Sequence, residues 1–509
     1  MPRFWPGMGR SVAGALPGRM DPVNWLFFWG AFALYFGAVI LRHAWFQTSA
    51  WDLGIFAQAV YLIGQGLPPD SSFLGFHILG DHGALVLYPL GLLDRLVSSV
   101  YTLLALQSAA LAAAVVPLQR LGQRRHLGPA AIRTSLTVLV LYPVVFNTAI
   151  FDFHPETLAF PLVMQAIVLL EERRLSADRQ AVACLLLALT CKVSLALLVL
   201  GFGGWLLLQG RRWIGGVLCV LAASWLLLIG GWLIPAFGGE AASLSRHLDK
   251  FGLEREVASP GGLGLVVQAL GSLVGQLASG ANLAYGVLLL APVLYLLLHH
   301  RRWLLLAGLL PFAPLLLLNL LASQASLKDL VHHYSLFLVP LLVAQAQSTF
   351  APVGSGGVAG YPGWLRPRLL PAVVGWTLVA FVALSRLSFF LGPFQESLDN
   401  APAMREAMAL VRPDASVVAT NALAAHLARR PAIDLLSSRS ARDLSGVDQV
   451  LVDARRGSWK ASPELIRKLL GHLRTDPAWS TRFQRQDVWL FERRSDTKPP
   501  KISESRQQL

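Results

Sequence analysis

Charged residues are scarce in this chain, and cysteine is nearly absent. Only 14% of the 509 residues are Asp, Glu, Lys or Arg, whereas a soluble globular domain has about 25%. The three cysteines, Cys184, Cys191 and Cys219, each lie within an apolar segment. Neither a disulfide framework nor a thiolate metal site is therefore expected. The shortage of charge excludes an ordinary soluble protein and indicates a chain embedded in a membrane.

The charges that are present are strongly unbalanced, with a formal net charge of +14. An excess of basic residues is typical of proteins that bind nucleic acid, but it is also typical of the cytoplasmic loops of membrane proteins. Here the arginines gather in pairs between apolar segments, for example at Arg124-Arg125, Arg211-Arg212 and Arg301-Arg302. We therefore expect the lipid bilayer as a partner, and no nucleic acid.

Eleven apolar segments are interpreted as transmembrane spans, because a helix needs about 20 apolar residues to cross a bilayer core. They lie near residues 24–41, 100–118, 130–148, 157–170, 181–191, 194–208, 213–234, 283–298, 303–320, 335–350 and 370–391. The basic loops place the N-terminal segment, residues 1–23, in the cytoplasm. That segment has no signal-peptide cleavage pattern, so the first span is expected to remain as an anchor.

The apolar stretch between Arg179 and Arg211 breaks the simple alternation. Both ends are basic and should be cytoplasmic, yet the stretch holds only about 27 apolar residues, few for two full spans. Two short spans that meet near Lys192 keep the alternation, and a broken helix must then face protein or a cavity. One long tilted helix is the alternative, and it would invert every later segment.

Outside the membrane, two parts of the chain are predicted to fold. Residues 42–99 form a long first outer loop within the membrane domain, residues 24–392, and include a helix over 51–61 that lies in the interface and a second helix over 84–97. Residues 235–282 form another outer loop. Residues 393–494 alternate short helical patterns with extended ones at Ser416–Ala419, Gln449–Val452 and Val488–Glu492, which predicts a small extracytoplasmic α/β domain. Residues 495–509 form a disordered tail.

Polar residues that can ionise collect in the gaps on the predicted outer side. At membrane depth such residues are costly, so each is a candidate for function. They are Asp52, Asp81, His82, Asp152, His154, Glu156, His332, His333 and Tyr334, together with Lys192 inside an apolar run. Their distribution predicts one polar site on one face of the membrane.

Two of these gaps carry sequence patterns of a known family. The run Trp51-Asp52-Leu53-Gly54-Ile55-Phe56-Ala57-Gln58 resembles the family's YDLGIFDQ signature, and Phe151-Asp152-Phe153-His154-Pro155-Glu156 resembles its FDFHPE signature. Gly80-Asp81-His82 and His333-Tyr334-Ser335 fit the pattern too. The chain thus resembles the bacterial membrane proteins called domain of unknown function 2079 (DUF2079), over roughly residues 25–455.

The layout of that family is similar to the GT-C glycosyltransferases. The resemblance implies an all-α polytopic membrane fold, a polyprenyl-phosphate sugar as donor, and a loop carboxylate, here Asp52, as base or metal ligand. The chain departs from the family pattern at Ala57, where a second Asp is frequent, and at Val193-Ser194, where an acidic pair is frequent. The missing carboxylates weaken the case for a metal site.

Sugar transfer from a lipid phosphate requires a base for the acceptor hydroxyl and a group that stabilises the leaving phosphate. Asp52 is the candidate base, although an Asp at a helix start is also a common cap. Lys192 is the candidate phosphate ligand, although its ammonium could instead reach the lipid headgroups.

The remaining candidates are expected to bind substrate. Asp152, His154 and Glu156 alternate along the chain, so they could converge on a sugar or on Mg²⁺ or Mn²⁺, or simply form a hydrogen-bonded turn. His332, His333 and Tyr334 could bind phosphate or sugar hydroxyls, or belong to an interfacial belt. Asp81 and His82 are adjacent in sequence, and adjacent side chains rarely face each other, so a structural role is favoured there.

Three functions remain open on this sequence. The first is a GT-C glycosyltransferase of the bacterial inner membrane that acts on the extracytoplasmic face. The second is a transporter or lipid flippase, since broken helices and midplane charges also mark transporters. The third is a non-catalytic membrane scaffold. The clustering of polar groups toward one face favours the first.

Overall fold

A computed structural model describes residues 22–240, 271, 274–322, 324–351 and 357–494. The chain divides into two compact units. The first unit comprises Met1–Ile40, Leu79–Val86 and Leu103–Ser388, and the second comprises Leu41–Ile78, Leu87–Thr102 and Phe389–Leu509. The long segment that follows the first helix therefore contributes to both units.

The first unit is helical throughout its described part. Its α-helices are Pro22–Ala44, Leu79–His82, Val100–Ala113, Val115–Arg124, Pro129–Val140, Pro143–Ile150, Phe160–Glu171, Leu175–Leu189, Leu195–Leu208, Arg212–Trp225, Ile234–Ala236, Gly280–Leu290, Arg302–Ala307, Ala313–Leu321, Val339–Ser348 and Leu369–Leu384. Short 3-10 turns lie at Pro155–Ala159, Ala291–Leu298, Leu310–Phe312, Ala325–Lys328, His333–Leu338, Val358–Gly360, Arg366–Arg368 and Arg386–Leu391, and a π-helix at Leu226–Leu233.

Fewer helices than expected have the length of a full span. Within the residues described, six helical stretches are long and apolar enough to cross a membrane, or seven if the bent pair Pro129–Val140 and Pro143–Ile150 counts as one span. The predicted spans 157–170, 181–191, 194–208 and 303–320 correspond to shorter or interrupted helices. The chain is thus a multi-pass membrane protein, and the count of eleven is not supported by helix length alone.

Two helix breaks in the first unit have different causes, one local and one a contact with a distant segment. Pro143 has no N–H to continue the helix before it, and the two helices that flank Leu141-Tyr142 differ in direction by 46°. The second break follows Leu189, where the sequence contains neither Pro nor Gly. There Val193 N donates to His82 O at 3.1 Å, and Thr190 O accepts from Val86 N at 3.1 Å. Bonds to another segment replace the helical ladder at Lys192, where the sequence predicted the break.

Buried polar side chains tie the ends of these helices together. Asn147 is almost wholly buried. Its amide nitrogen donates to Leu330 O at 2.8 Å and Leu384 O at 3.2 Å, and its amide oxygen accepts from Arg386 N at 2.7 Å. Since the carbonyls that end a helix have no partner within it, this asparagine satisfies backbone groups of two other segments, at Leu330 and at Leu384–Arg386.

The second unit contains the helix that carries Asp52. A π-helical turn, Ala50–Gly54, runs directly into the α-helix Ile55–Gly64, followed by a small hairpin of Asp70–Ser71 and Phe76–His77 and by the helix Leu87–Asp94. The predicted helix over 51–61 is confirmed, but nearly every residue of Ile55–Gly64 is buried. It packs inside the protein, so the prediction that it lies in the membrane interface is wrong. The predicted helix over 84–97 is limited to Leu87–Asp94.

The C-terminal part of the second unit forms a five-stranded mixed sheet with helices. The spatial order of the strands is Ile433–Leu435, Val417–Ala419, Gln449–Asp453, Val488–Arg493 and Trp479–Arg485. The first three are parallel and the last two run antiparallel to their neighbours. The helices of this region are Pro393–Gln395, Ala401–Ala409, Asn421–Leu427 and Pro463–Thr475.

Two of the five strands were missed by the sequence patterns. Both are edge strands of the sheet, Ile433–Leu435 and Trp479–Arg485. The latter exposes most of its residues to solvent, because an edge strand needs no continuous apolar run and commonly carries charge. The central strand Gln449–Asp453, which was predicted, is buried along its whole length.

Three expectations fall outside the residues that the structure describes. These are the N-terminal segment up to residue 21, most of the loop over 235–282, and the tail over 495–509.

The close approach of the helix Leu195–Leu208 to the turn Leu310–Phe312 gives a stability test. A Cβ added to Gly201 would lie 1.9 Å from the backbone oxygen of Pro311, whereas a Cβ on Gly204 of the same helix would meet no atom within 4 Å. We expect Gly201→Ala to destabilise the purified protein by roughly 1–3 kcal/mol because the backbones must separate. Gly204→Ala should leave the melting temperature equal or slightly higher. Equal melting temperatures for both variants would contradict this packing.

Candidate functional site

Four segments of the first unit converge on one polar cluster. They are the Leu79–His82 turn and the residues after it, the turn 151–156, the helix break at 190–194, and residues 329–334. Each lies where a helix begins, ends or is interrupted. Side chains there can point into a shared space that a regular helix would fill with its own backbone.

The centre of the cluster is a buried contact of three side chains. Lys192 Nζ donates to Glu156 Oε1 at 2.6 Å. His333 Nε2 lies 3.1 Å from the same carboxylate oxygen and 3.3 Å from Nζ. The side chains of Glu156, His333 and Lys192 are 3%, 6% and 13% exposed, so Lys192 is the member of this group that solvent reaches most.

The pair Glu156–Lys192 remains ionised despite its burial. Burial alone would raise the pKa of Glu156, but the Lys192 ammonium outweighs it and lowers the pKa to about 2. Burial alone would lower the pKa of Lys192, but Glu156, followed by Tyr334, raises it above its ordinary value. The stabilisation from this pair is lost only below the folded pKa of Glu156 or above that of Lys192, so both charges persist across the neutral range.

Two atoms of the cluster lack a hydrogen-bond partner among the residues described. They are Glu156 Oε2 and His333 Nδ1, and both are buried. A buried polar atom without a partner costs on the order of 1–3 kcal/mol. Such a cost is typical of a site that a ligand completes, and both positions can hydrogen-bond to hydroxyl groups.

The ring of His154 is fixed by its own turn. His154 Nδ1 lies 2.8 Å from the backbone oxygen of Asp152, and because a carbonyl only accepts, Nδ1 carries the proton. The neutral ring then has its lone pair on Nε2. The same ring lies against His333 with a centroid separation of 3.8 Å. Asp152 thus contributes to this geometry through its backbone, and its side chain is almost wholly buried.

The residues present do not fit a divalent cation. Among the residues described, no group of three or more His, Cys, Asp or Glu side chains is arranged to hold a metal ion. Glu156, the carboxylate of the turn that lies beside His333, already binds the Lys192 ammonium, which would repel a cation. We therefore derive no metal-dependent step from the proposed set of Asp152, His154 and Glu156.

Asp81 and His82 form the partly exposed edge of the cluster. His82 Nδ1 lies 2.5 Å from Asp81 Oδ2, with the side chains 28% and 22% exposed. The expectation that these adjacent side chains do not face each other is wrong, because the short helix Leu79–His82 ends here. Asp81 also helps to raise the pKa of Lys192, and His82 helps to lower that of Glu156, so both act on the central pair.

His332 and Tyr334 differ from His333 in their contacts. His332 Nδ1 lies 2.7 Å from Asp329 Oδ2, and Asp329 Oδ1 also accepts from the backbone N of His332. Tyr334 places its ring 5.6 Å from Lys192 Nζ, a cation–π distance. Asp329 was not among the predicted residues, although an acidic residue three positions before a histidine is a signal that could have found it.

Gln107 is the second residue that the sequence patterns missed. It is fully buried. Its amide nitrogen donates to the backbone oxygens of Thr148 at 3.1 Å and Phe151 at 3.3 Å, and its amide oxygen accepts from His154 N at 3.0 Å. Gln107 thereby holds the turn that presents His154 and Glu156. The sequence around Gln107 contains no pattern that indicates a partner 47 residues away, at His154.

Asp52 belongs to the second unit. It lies in the first turn of the Ala50–Gly54 helix, but the cap of that helix is Ser49, whose hydroxyl accepts from Trp51 N at 3.1 Å. Asn421 holds this turn in place, since its amide oxygen accepts from Ala50 N at 3.0 Å and from the Ser49 hydroxyl at 3.2 Å. The capping role considered for Asp52 is thus filled by Ser49.

The comparisons with known proteins extend this description. The sequence profile of the family described as "Predicted membrane protein (DUF2079)" matches residues 42–490. No curated protein matches the chain in sequence.

Among solved structures, the fold resembles ArnT from Cupriavidus metallidurans bound to undecaprenyl phosphate. The TM-score is 0.58 at 12% identity, covering 94% of this chain and 100% of that chain. The apo state of ArnT gives a TM-score of 0.57 at 12% identity over 94% and 99% of the two chains. At this identity the likeness shows a shared fold alone.

The buried pair gives a test of the cluster itself. Removing one partner of a buried ion pair leaves an uncompensated charge, at a cost of about 3–5 kcal/mol. We expect Glu156→Gln and Lys192→Met each to lower the free energy of unfolding by about that amount, and the double variant to lose much less than the sum. Glu464→Gln, in the exposed pair with Lys468, should leave the melting temperature unchanged. Additive losses in the double variant would contradict the coupling.

Proposed function

This chain belongs to the DUF2079 family of predicted membrane proteins, and we propose that it is a glycosyltransferase of the GT-C type. In this proposal it transfers a sugar from a polyprenyl-phosphate donor to an acceptor on the extracytoplasmic face. The fold that it shares with ArnT, whose structure holds undecaprenyl phosphate, supports a lipid phosphate as ligand. The observation that carries the proposal is the ammonium of Lys192, whose side chain is 13% exposed, in a cluster where two buried polar atoms have no partner among the residues described.

A lipid phosphate fits the chemistry of this cluster. An ammonium acts on phosphate as a point charge, and it is strongest where water is largely excluded. Lys192 is held in position by Glu156 and lies beside the Tyr334 ring. Glu156 Oε2 can accept from a sugar hydroxyl, and His333 Nδ1 can accept from or donate to one, according to its protonation.

The reaction requires one bond to form and one to break. The oxygen of the acceptor hydroxyl attacks the anomeric carbon, and the bond between that carbon and the phosphate oxygen breaks. The phosphate leaves on the polyprenyl chain with the bonding electrons, and Lys192 stabilises its added negative charge. The proton of the acceptor hydroxyl passes to Asp52, the proposed general base. Asn421 and Ser49 fix the turn that carries Asp52 and act as positioning residues.

The same proposal includes a topology. Eleven crossings, some through short helices, put the N-terminal segment in the cytoplasm and residues 393–494 outside the cytoplasm of a bacterium. The basic loops support this orientation. Three of their arginines are paired with carboxylates, Arg124 with Glu172, Arg125 with Glu171 and Arg211 with Asp178.

The lipid is the first testable part of this function. We expect the wild-type protein to co-purify with a polyprenyl phosphate or its sugar conjugate, identified by mass spectrometry of extracted lipids. Lys192→Ala should lose it, because the ammonium that holds the phosphate is gone.

Arg211→Ala is the matched control, since it also breaks a partly buried ion pair in the same unit but leaves Lys192 intact. It should retain the lipid. If wild type and Lys192→Ala both carry only bulk phospholipid, the transporter or the scaffold becomes the better explanation.

The proposed base is tested separately. Asp52→Asn should reduce sugar transfer by about 10²–10⁴-fold, the usual contribution of a general base, while the lipid remains bound. The measurement is the glycan profile of cells that lack the native protein and express the variant. Asp70→Asn, an exposed carboxylate of the same unit, is the control and should restore the native profile. An unchanged profile with Asp52→Asn would remove Asp52 from the mechanism.

A further inference from the structure

An open groove lies on the second unit, beside the first turns of the helix Pro463–Thr475 and the residues just before it. It has a volume of about 390 Å³ and is lined by Ser438, Ser458, Trp459, Lys460, Ser462 and Lys468, with Glu464 and Leu465. Pockets for small ligands are commonly about 300–1,000 Å³. The groove is therefore large enough to hold a ligand, and all of its lining comes from one unit.

The groove exposes the indole of a tryptophan, a side chain that folded proteins usually bury for the most part. Trp459 is 67% exposed. Its ring meets the ring of Trp51 edge to face, with centroids 5.1 Å apart. The Lys460 ammonium lies 3.5 Å from the Trp51 ring centroid and 4.8 Å from that of Trp459, so cation–π contacts hold these three side chains together. The exposed indole is thus fixed in orientation.

Serine hydroxyls line the same groove, and two of them are held by hydrogen bonds from the backbone. Ser458 Oγ accepts from Ala461 N at 3.1 Å, and Ser462 Oγ accepts from Leu465 N at 3.2 Å. Each hydroxyl still has a proton to donate, because a serine hydroxyl is both donor and acceptor. Lys468 is paired with Glu464 at 2.7 Å, which places a donor and an acceptor on the same wall.

We propose that this groove binds a saccharide, and that the saccharide is the acceptor glycan of the transfer reaction. A sugar ring offers an apolar face of C–H groups to an indole and hydroxyls at its edge, and the groove supplies both a fixed indole and fixed polar partners. Charges of both signs line the groove, so a neutral hexose chain fits as well as a charged one. The aromatic wall continues through Trp51, the residue beside Asp52 in the chain.

The role of the saccharide as acceptor rests on the proposed function. The binding of a saccharide to the groove does not depend on it. The binding groove and the lipid phosphate site involve different residues in different units. Their failures can therefore be told apart, because lipid retention is measured with Lys192→Ala and saccharide binding with Trp459→Ala.

The test is direct binding to the full-length protein. The protein is reconstituted in lipid nanodiscs, so that no sugar-headed detergent competes, and titrated calorimetrically with maltotetraose, cellotetraose and chitotetraose. We expect at least one to bind wild type, and Trp459→Ala to weaken that binding at least about tenfold, equivalent to about 1.4 kcal/mol. Trp459→Phe should keep most of the affinity, because a flat ring remains.

The control separates the groove from general effects of tryptophan loss. Trp364→Ala removes an indole of similar exposure, 71%, in the first unit, and should bind as wild type does. The proposal is overturned if none of the three saccharides binds, or if Trp459→Ala binds as tightly as wild type. Equal weakening by Trp364→Ala would overturn it too.

Discussion

The buried ion pair between Glu156 and Lys192 is the interaction on which the candidate site depends. An ammonium in a region of low dielectric is tolerated only if an opposite charge lies in contact with it, and here that contact is 2.6 Å. The pair requires two helix breaks to meet, one before Phe160 and one after Leu189. The breaks in turn require hydrogen bonds from elsewhere, which come from Gln107 and from the segment after Leu79.

That dependence explains why the site is assembled from irregular backbone. A regular helix satisfies its own polar groups and has none to offer a ligand, whereas a broken helix must find partners or line a cavity. The polar cluster lies where helices are interrupted, and its central contacts are made by side chains. Glu156 Oε2 and His333 Nδ1 have no partners in the residues described, which suits a substrate that arrives with hydroxyl groups.

The second unit holds the groups proposed for the acceptor. Asn421 fixes the turn of Asp52 from a distance of more than 350 residues along the chain, and Trp459 and Lys460 pack on Trp51 of the same turn. One buried helix, Ile55–Gly64, anchors this turn to the rest of the unit. The long first loop is thus a folded part of the protein that supports a carboxylate.

The sequence by itself determined the membrane class, the break at Lys192 and most of the polar residues of the cluster, because hydropathy and the cost of charge at membrane depth act locally. It also placed the central strand Gln449–Asp453, whose apolar run is continuous. Only the tertiary structure decided that Glu156 pairs with Lys192 and His333, that Asp329 binds His332, and that Gln107 holds the turn at His154. Most of these contacts join residues far apart in sequence, and no local pattern records which partners a folded chain brings within hydrogen-bonding distance.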